Sequence, residues 1–383
     1  MPDQPVPGLP VALAATSSRP SDVRYARGLV SGLLQMPPET RPRLTLIVAS
    51  GQAYFSERRQ KIRVITMSND PHSSAGLREL SHVVRQLDPA VLHCTDLATP
   101  RPRVKIPLVT TLRDLAPLVV EDPQMPAAAR RAFLQACKRA AKTSQALIAV
   151  SHQMADDATR LFPAAPDKLT VIPKAADDLV SGGKQLMPDL LYRLPPTQFF
   201  LALGDSKPSQ GLSTLLRAFE RFFQQASALP GFDALACPRL LLLGKDRPGY
   251  LSAQLSGPVA ELVHFTNQVD DEELRWLYAH TLAFVAPSRH ESFGLSALEA
   301  ASFATPVLAA HAGALPEVFG EGEGAGAAYF APDDSEELAA LLLRIARDQD
   351  FVDALSAAAY ARAGLFSWRA SAQATLALYQ QLT

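Results

Sequence analysis

The chain of 383 residues contains only three cysteines, Cys94, Cys137 and Cys237, and each lies in an apolar stretch. Three scattered cysteines are too few for a disulfide framework or a zinc site, so we expect reduced core residues of a cytoplasmic protein. Long apolar runs are also missing: none approaches the ~20 residues of a membrane-spanning helix. The first residues lack the charged start and apolar core of an export signal. The sequence therefore predicts neither secretion nor a membrane span.

An excess of charge of one sign is missing as well. The formal net charge is −1, from 37 basic and 38 acidic residues that are interspersed along the chain. We therefore expect no nucleic-acid partner, and any anionic ligand must be held by local groups. Because 48% of the residues are hydrophobic, the chain can bury sizeable cores.

Short apolar runs without polar alternation recur between helix-like stretches. Such runs are typical of strands that are buried on both faces, and they favour a parallel sheet in an α/β fold. The predicted strands are LPVALAAT, LTLIVAS, IRVITM, AVLHCT, PLVTTL, ALIAVS and LTVIP in the first half, and FFLALG, RLLLLG, LVHF, LAFVAPS, PVLAA and AAYFAP in the second.

The two series of strands are separated by a stretch with turn-forming residues and no strand-like run. Ser181-Gly182-Gly183 and Pro195-Pro196 lie in it, so we predict a linker over residues 181–197. Two doubly wound domains are expected, residues 1–180 and 198–365, with the functional cleft between them at the carboxyl ends of their strands.

One segment, HESFGLSALEA, directly follows a predicted strand that ends at Ala286. A glycine-containing loop leads there into a predicted helix, Leu295 to Ala304. The N-terminus of a helix presents unpaired N–H groups and a positive dipole end, so the amides around Phe293, Gly294 and Leu295 can cradle a phosphate.

The same segment carries two carboxylates with different reach. Glu291 in the loop can contact the hydroxyls of a sugar, and Glu299 in the helix can accept two hydrogen bonds from vicinal hydroxyls such as those of ribose. A ribose, a diphosphate and a second sugar are the parts of a nucleotide-sugar. The spacing equally fits Glu291 as a helix cap and Glu299 on a solvated face, and the residues alone leave both interpretations open.

Over almost its whole length the chain resembles the retaining glycosyltransferases of family 4, which have the GT-B fold. The resemblance lies in Glu291, Phe293-Gly294-Leu295 and Glu299, with QVDDEELRWLYAHTLAFVAPS before them, ATPVLAAHAGALPEVFG after them and the closing FSWRASAQATLALY. It implies an α/β GT-B fold, in which two Rossmann-like doubly wound domains face each other across a cleft and a C-terminal helix, 366–383, crosses back onto the N-terminal domain. It also implies a nucleotide-diphosphate-sugar donor, a saccharide, glycolipid or protein acceptor, and no metal or other cofactor.

The resemblance also assigns roles to individual residues. Glu299 is similar to the carboxylate that binds the ribose, and Glu291 to the one that contacts the transferred sugar. The backbone of Gln268 and Val269 resembles the edge that recognises the base. The implied catalytic residues are Glu291, Arg113 and Asp114, and the implied donor-binding residues are Gly204, Lys207, Gln268, Val269, Glu291, Ser292, Phe293, Gly294, Leu295 and Glu299.

The sequence departs from the family pattern at positions that bind the donor. Asp205 and Gln210 replace an Arg and a Lys in the loop LGDSKPSQG, and Arg113 replaces a His before Asp114. Lys207, Lys245 and Arg289 are candidates for the missing positive charge, and each also fits a solvated surface position. Arg24 and Arg27 are candidates for facing an anionic acceptor.

The leading hypothesis is sugar transfer from a nucleotide-sugar with retention at the anomeric carbon. One alternative is a non-catalytic GT-B protein that acts as a partner or scaffold for an active glycosyltransferase, and another is a nucleotide-sugar epimerase. A basic segment without acids, AAARRAFLQACKRAAK, predicts either a solvated helix face or peripheral contact with the inner face of an anionic membrane.

Overall fold

The structure, a computed structural model, describes residues 8–50, 62–95, 97, 102, 104–162, 166–180, 183–194, 198–234, 236–244, 249–255, 257–266 and 269–383. They form two compact units. Unit 1 comprises Met1–Leu115, Met125–Lys174 and Ser367–Thr383, and unit 2 comprises Ala116–Gln124 and Ala175–Phe366.

Every apolar run predicted to be a strand is a strand. The strands are β1 (Pro10–Ala15), β2 (Arg43–Val48), β3 (Arg63–Thr66), β4 (Val91–Cys94), β5 (Leu108–Leu112), β6 (Ala146–Ala149), β7 (Leu169–Val171), β8 (Phe199–Leu203), β9 (Arg239–Leu243), β10 (Val263–Thr266), β11 (Phe284–Ala286), β12 (Val307–Ala310) and β13 (Ala328–Phe330). The interior strands, such as β5 and β9, are buried on both faces because helices cover the sheets, whereas the edge strands β3, β7, β10 and β13 are only partly buried.

Helices separate most of the strands along the chain. Several begin at an N-cap side chain that accepts a backbone N–H, such as Asp270, which forms a capping box with Glu273. They are α1 (Pro20–Leu34), α2 (Ser74–Leu87), α3 (Ala116–Val119), α4 (Ala127–Thr143), α5 (His152–Leu161), α6 (Asp177–Val180), α7 (Asp189–Tyr192), α8 (Leu212–Ser227), α9 (Asp271–His280), α10 (Leu295–Ala301), α11 (Leu315–Phe319), α12 (Ser335–Ile345), α13 (Gln349–Ala363) and α14 (Trp368–Gln381).

Each unit is built on one parallel sheet. The strand order is β3-β2-β1-β4-β5-β6-β7 in unit 1 and β10-β9-β8-β11-β12-β13 in unit 2. The order reverses direction between β1 and β4 and again between β8 and β11. Ligands of open parallel sheets bind beyond the carboxyl ends of the strands at such a switch point. In unit 2 the loops after β8 and β11 are therefore the ones to examine.

Helix α14 belongs to unit 1, where it packs closely on α1. Trp368 is almost completely buried, and its ring meets Tyr25 edge-on with 5.8 Å between the centroids. Gly28 and Gly32 of α1 lie directly beneath it, and a Cβ at either position would overlap Trp368. The two glycines thus permit the close approach of the last helix.

The predicted helix over Leu295 to Ala304 ends at Ala301, earlier than expected. The chain turns after Ser302, and Ala304 takes a left-handed conformation with φ of +56°. Pro306 disfavours a helical conformation at the residue before it, Thr305, so the chain leaves the helix before the proline.

Candidate functional site

The loop after β11 brings the predicted donor-binding residues of unit 2 into one segment. Ser292, Phe293 and Gly294 lead directly into α10, where Gly294 is the N-cap with φ of +86°. A Cβ on Gly294 would lie 2.7 Å from Cδ2 of Leu315, so both the backbone angle and the space require glycine. The loop is therefore fixed by its neighbours, and the N-cap Gly294 has no side chain to cap the first turn of α10.

Phe293 and Leu295 are buried, so their side chains serve the core of unit 2. The ring of Phe293 stands perpendicular to that of Phe366, with 5.6 Å between the centroids. Ser292 is also buried. The contribution of these three residues to ligand binding is thus limited to their backbone and, for Ser292, a hydroxyl.

Glu291 is half-buried, and its backbone is held by the turn that follows β12. The N–H of Ala314 donates to the carbonyl of Glu291 over 2.8 Å. Gly313 has φ of +57°, and a Cβ there would lie 2.5 Å from the backbone nitrogen of Glu291 and closer still to its carbonyl oxygen. Gly313 therefore lets the two loops touch backbone to backbone, which fixes the backbone of Glu291.

Glu299 lies on α10 with 3% of its surface exposed. Its Oε2 accepts a hydrogen bond of 2.9 Å from the hydroxyl of Tyr278, a completely buried residue of α9. The sequence left a solvated face open for Glu299, and that interpretation is wrong. Burying a carboxylate costs free energy unless it accepts hydrogen bonds, so Glu299 needs hydrogen-bond donors around it.

The loop after β8 runs from Gly204 to Gly211, next to the segment described above. Gly204 donates to the carbonyl of Leu243, and the Gln210 side chain folds toward it, so that a Cβ at Gly204 would lie 2.8 Å from the Gln210 Oε1. Lys207 forms an ion pair of 3.3 Å with Asp205, and about half of each side chain is exposed. The lysine thus offsets the carboxylate that stands where the family has an arginine.

Beside this loop lies a pocket of about 190 Å³ at the start of α8. Three cations line it, Lys207, Arg217 and Arg289, and Arg289 also forms an ion pair of 2.7 Å with Asp333. Sequence analysis missed Arg217, because one arginine on an amphipathic helix carries no signal of a pocket. The other lining residues are Ser206, Pro208, Gly211, Leu212, Ser213, Thr214, Tyr250 and Leu251.

Two residues predicted near the base and the phosphates, Gln268 and Lys245, lie outside the described residues. Val269 is half-buried in the loop that precedes the N-cap of α9.

In unit 1, Arg113 follows β5 and is buried. Its guanidinium forms an ion pair with Asp22 of α1 and donates to the carbonyl of Ser21 over 2.9 Å. Burial lowers the pKa of Arg113 to about 9, although the charge of Asp114 opposes the shift, so the group stays protonated at neutral pH. Arg113 thus binds a carboxylate of its own unit.

Asp114, the next residue, is exposed at the carboxyl end of β5. The buried Nε of Arg113 has no hydrogen-bond partner among the described residues. Arg24 and Arg27 are half-buried on α1.

His93 at the end of β4 is completely buried. Its Nδ1 lies 2.6 Å from the hydroxyl of Tyr379, and its Nε2 lies 2.7 Å from Oγ1 of Thr111, which also contacts the hydroxyl of Tyr25. Both ring nitrogens are satisfied inside unit 1, so His93 is a structural residue that ties α14 to the sheet.

All five cations of α4 are exposed, while Cys137 and Ala141 on the same helix are buried. In the described part of the chain, no helix is long and apolar enough to cross a membrane. Over the same residues, no group of three or more histidines, cysteines or carboxylates is arranged to hold a metal ion.

Two family models match the chain, one to each half. The model described as Glycosyltransferase Family 4 matches residues 38–178, and the one described as Glycosyl transferases group 1 matches residues 194–362. Together they cover most of the sequence, including the segment with both glutamates.

Curated proteins with similar sequences are glycosyltransferases. The MMP alpha-(1->4)-mannosyltransferase of Mycolicibacterium hassiacum is 30% identical over 252 residues, which are 65% of this chain and 57% of that protein. The D-inositol 3-phosphate glycosyltransferase of a Nocardioides species is 35% identical over 193 residues, 47% of this chain and 41% of that protein. The alignments thus span about half the length of these relatives.

Solved structures with the same fold cover the chain almost completely. Sucrose-phosphate synthase from Thermosynechococcus elongatus has a TM-score of 0.73 at 20% identity, covering 98% of this chain and 99% of that one. Anabaena Alr3699/HepE in complex with UDP and glucose has a TM-score of 0.73 at 18% identity, and the match covers 97% of this chain and 99% of that one. The predicted GT-B fold of two Rossmann-like domains is confirmed.

Proposed function

Because the chain belongs to the glycosyltransferases of group 1 and family 4, we propose that it transfers a sugar from a nucleotide-diphosphate-sugar to an acceptor, with retention at the anomeric carbon. The observation that carries the proposal is Glu299, a buried carboxylate held by a tyrosine next to the loop that carries Glu291. Such a carboxylate is suited to accept hydrogen bonds from the hydroxyls of a ribose.

The other parts of the donor are assigned along the same loops. Glu291 contacts the transferred sugar, the backbone amides from Phe293 to Leu295 face the diphosphate, and the chain at Val269 faces the base. As the diphosphate leaves, negative charge develops on it, and fixed N–H dipoles that point at this charge lower the barrier. This stabilisation uses groups of the chain alone, without a metal or another cofactor.

The charge of the loop after β8 bears on how well the diphosphate binds. A carboxylate ~4 Å from a phosphate is repelled by ~1 kcal/mol in water and by ~4 kcal/mol at an effective dielectric near 20. Lys207, 3.3 Å from Asp205, cancels much of this repulsion. We therefore expect Lys207→Ala to weaken donor binding, and Asp205→Asn to strengthen it. The neutral pair Lys207→Ala with Asp205→Asn should lie between the two.

A thermal-shift panel of UDP, GDP, ADP, TDP and CDP tests the donor pocket. A ligand at 100 times its dissociation constant adds about 2.7 kcal/mol to the stability, which raises the melting temperature measurably. We expect one nucleotide to raise the melting temperature of the protein, and we expect Glu299→Ala to abolish that increase. A shift that survives in Glu299→Ala would refute the ribose assignment.

Turnover is tested separately with the sugar donor of whichever base binds. Release of the nucleoside diphosphate, and the anomeric configuration of the product by NMR, would establish transfer and retention. The proposed acceptor is a saccharide, glycolipid or protein. The curated relatives reported above are named as a mannosyltransferase and a D-inositol 3-phosphate glycosyltransferase. Small saccharides and inositol phosphates are therefore the acceptors to try first.

The non-catalytic alternative is favoured by a specific feature, the Arg113 side chain. Its guanidinium is committed to Asp22 where the family has a histidine that serves the donor sugar. In that case the protein would bind the nucleotide but release no product, and it would copurify with an active glycosyltransferase.

Peripheral membrane contact is proposed for α4, in keeping with a protein that works at the inner face of a membrane. The helix has no acidic residue, and it carries five exposed cations: Arg130, Arg131, Lys138, Arg139 and Lys142. Such a face is attracted to anionic lipids by about 1 kcal/mol per cation near the surface. Sedimentation with vesicles containing phosphatidylglycerol should capture the protein at low salt, and Arg130→Glu with Lys138→Glu should abolish the capture. Equal sedimentation with neutral phosphatidylcholine vesicles would refute it.

A further inference from the structure

The hydrogen bond between Tyr278 and Glu299 joins two helices in the core of unit 2. Tyr278 lies on α9 and is completely buried, and Glu299 lies on α10, 21 residues further along the chain. Buried tyrosines usually direct the hydroxyl to a partner, and here that partner is one oxygen of the carboxylate to which we assign the ribose. The contact therefore belongs to the binding site even though the tyrosine is out of reach of solvent.

The ring and the backbone of Tyr278 are both held by contacts with other elements. The ring contacts that of Phe284 of β11, with 5.9 Å between centroids, and that of Phe303 after α10, with 6.0 Å. Its carbonyl accepts a hydrogen bond of 2.5 Å from the hydroxyl of Thr305. A ring enclosed in this way cannot change rotamer without opening the core. The hydroxyl is thus a fixed donor.

A fixed donor constrains the carboxylate that accepts from it. A glutamate has three side-chain torsions, and in α10 it stands on a helix of only seven residues. The bond to Oε2 restricts the terminal torsion of Glu299. The second oxygen, Oε1, is therefore held in a set direction as well.

We propose that Tyr278 is a positioning residue that aims Glu299 at the two hydroxyls of a ribose, and so makes the site select ribonucleoside diphosphates over their 2′-deoxy counterparts. The inference rests on the proposed function, because it assigns the nucleotide to this carboxylate.

The selectivity follows from the cost of unpaired polar groups. A site that is built to accept hydrogen bonds from a hydroxyl rejects an analogue that lacks it, because the buried acceptor is then left unsatisfied. A carboxylate that could turn freely would reach another donor and tolerate the loss. The tyrosine prevents that rotation, so the loss of one ribose hydroxyl leaves an acceptor unsatisfied and lowers the affinity.

The test compares each nucleoside diphosphate with its 2′-deoxy form by calorimetric titration. UDP, GDP, CDP and ADP are titrated into the wild-type protein, and the one that binds is paired with its deoxy analogue. We expect the ribonucleotide to bind about tenfold or more tightly than the deoxynucleotide. In Tyr278→Phe, the ribonucleotide should lose about tenfold in affinity while the deoxynucleotide changes by less than about threefold.

Two further variants separate aiming from general loss of stability. Tyr379→Phe removes the hydroxyl of another completely buried tyrosine, which bonds His93 in unit 1. It should keep the wild-type preference for the ribonucleotide. In the Glu299→Ala background, where nucleotide binding is already weakened, adding Tyr278→Phe should lower the residual affinity for neither nucleotide, because the tyrosine acts only through the glutamate.

The possible outcomes distinguish a failure of the positioning role of Tyr278 from a failure of the proposed function. Equal losses for both nucleotides in Tyr278→Phe would mean a merely structural tyrosine and would overturn the inference. Ribonucleotide binding that Glu299→Ala abolishes, with selectivity unchanged in Tyr278→Phe, would overturn the inference and leave the proposed function in place. Binding that is unchanged in Glu299→Ala, or absent for every nucleotide, would overturn both.

Discussion

Replacing Gly313 by alanine should slow sugar transfer while leaving the nucleotide pocket intact. Gly313 adopts φ of +57°, and its added Cβ would lie 2.5 Å from the backbone nitrogen of Glu291. The Cβ would also lie 2.4 Å from the Glu291 carbonyl oxygen, and ordinary contact begins near 3.4 Å, so the two loops must separate by about 1.0 Å. The movement falls on the residue to which we assign the transferred sugar.

The size of the effect follows from this displacement. A shift of about 1 Å in a positioned group can cost ~100-fold in rate. The left-handed conformation adds about 1–2 kcal/mol of strain for alanine, which lowers the stability of the fold. Glu299 and Tyr278 lie outside the displaced turn. Phe293 and Leu295, whose amides we assign to the diphosphate, are anchored by buried side chains, so nucleotide affinity should change little. We therefore expect kcat to fall by about two orders of magnitude, with the dissociation constant of the nucleoside diphosphate unchanged within about threefold.

The assay measures release of nucleoside diphosphate from the sugar donor in steady state, and nucleotide binding by calorimetry. Gly231→Ala is the matched control, because Gly231 has φ of +75° and no described atom lies within 4 Å of the Cβ it would gain. That variant carries the same backbone strain without the contact, and its kcat should match the wild type. Equal kcat in Gly313→Ala and Gly231→Ala would refute the reasoning.

Three further predictions concern unit 1. Gly28→Ala places a Cβ in the ring of Trp368, so it should destabilise the protein by about 1–3 kcal/mol in urea unfolding; an unchanged midpoint would mean that α14 can move away without cost. Asp22→Ala leaves the buried charge of Arg113 unpaired and should cost about 3–5 kcal/mol, whereas a loss below about 1 kcal/mol would show that water reaches the guanidinium. Burial raises the pKa of Tyr25 to about 12, so between pH 10 and 12 the unfolded tyrosine ionises while the folded one stays neutral. Stability should therefore fall by up to roughly 3 kcal/mol as the pH rises through this window, and Tyr25→Phe should remove that part of the loss.

The fold could be predicted in some detail because its signals are local. A strand buried on both faces needs consecutive apolar residues, and the run RLLLLG, for example, can satisfy that need only as a central strand such as β9. The loop from Pro287 to Gly294 could also be predicted, since glycine at a helix start allows the left-handed φ angle found at Gly294. The end of α10 was harder to predict, because the residues before Pro306 are good helix formers while the proline disfavours a helix at the residue before it.

Parts of the candidate site escaped prediction because they depend on residues that are far apart in sequence. Nothing in the segment around Arg113 indicates that its charge faces Asp22, 91 positions earlier, rather than a ligand. The same holds for Gly313, which resembles any turn glycine until Glu291 is seen against it. Lys207 could be named as a candidate cation, but its contact with Asp205 depends on how the loop turns.

The two parallel sheets, the loop after β11 and the carboxylates in that loop and in α10 follow from the amino-acid sequence, because periodicity and turn chemistry depend on neighbouring residues. Which groups hold those carboxylates depends on how the elements pack. The hydroxyl of Tyr278 reaches Glu299 only because α9 and α10 pack together, and Glu291 is placed only because Gly313 lets a second loop touch it. Contacts of this kind depend on packing between separate elements, which no local pattern of residues specifies.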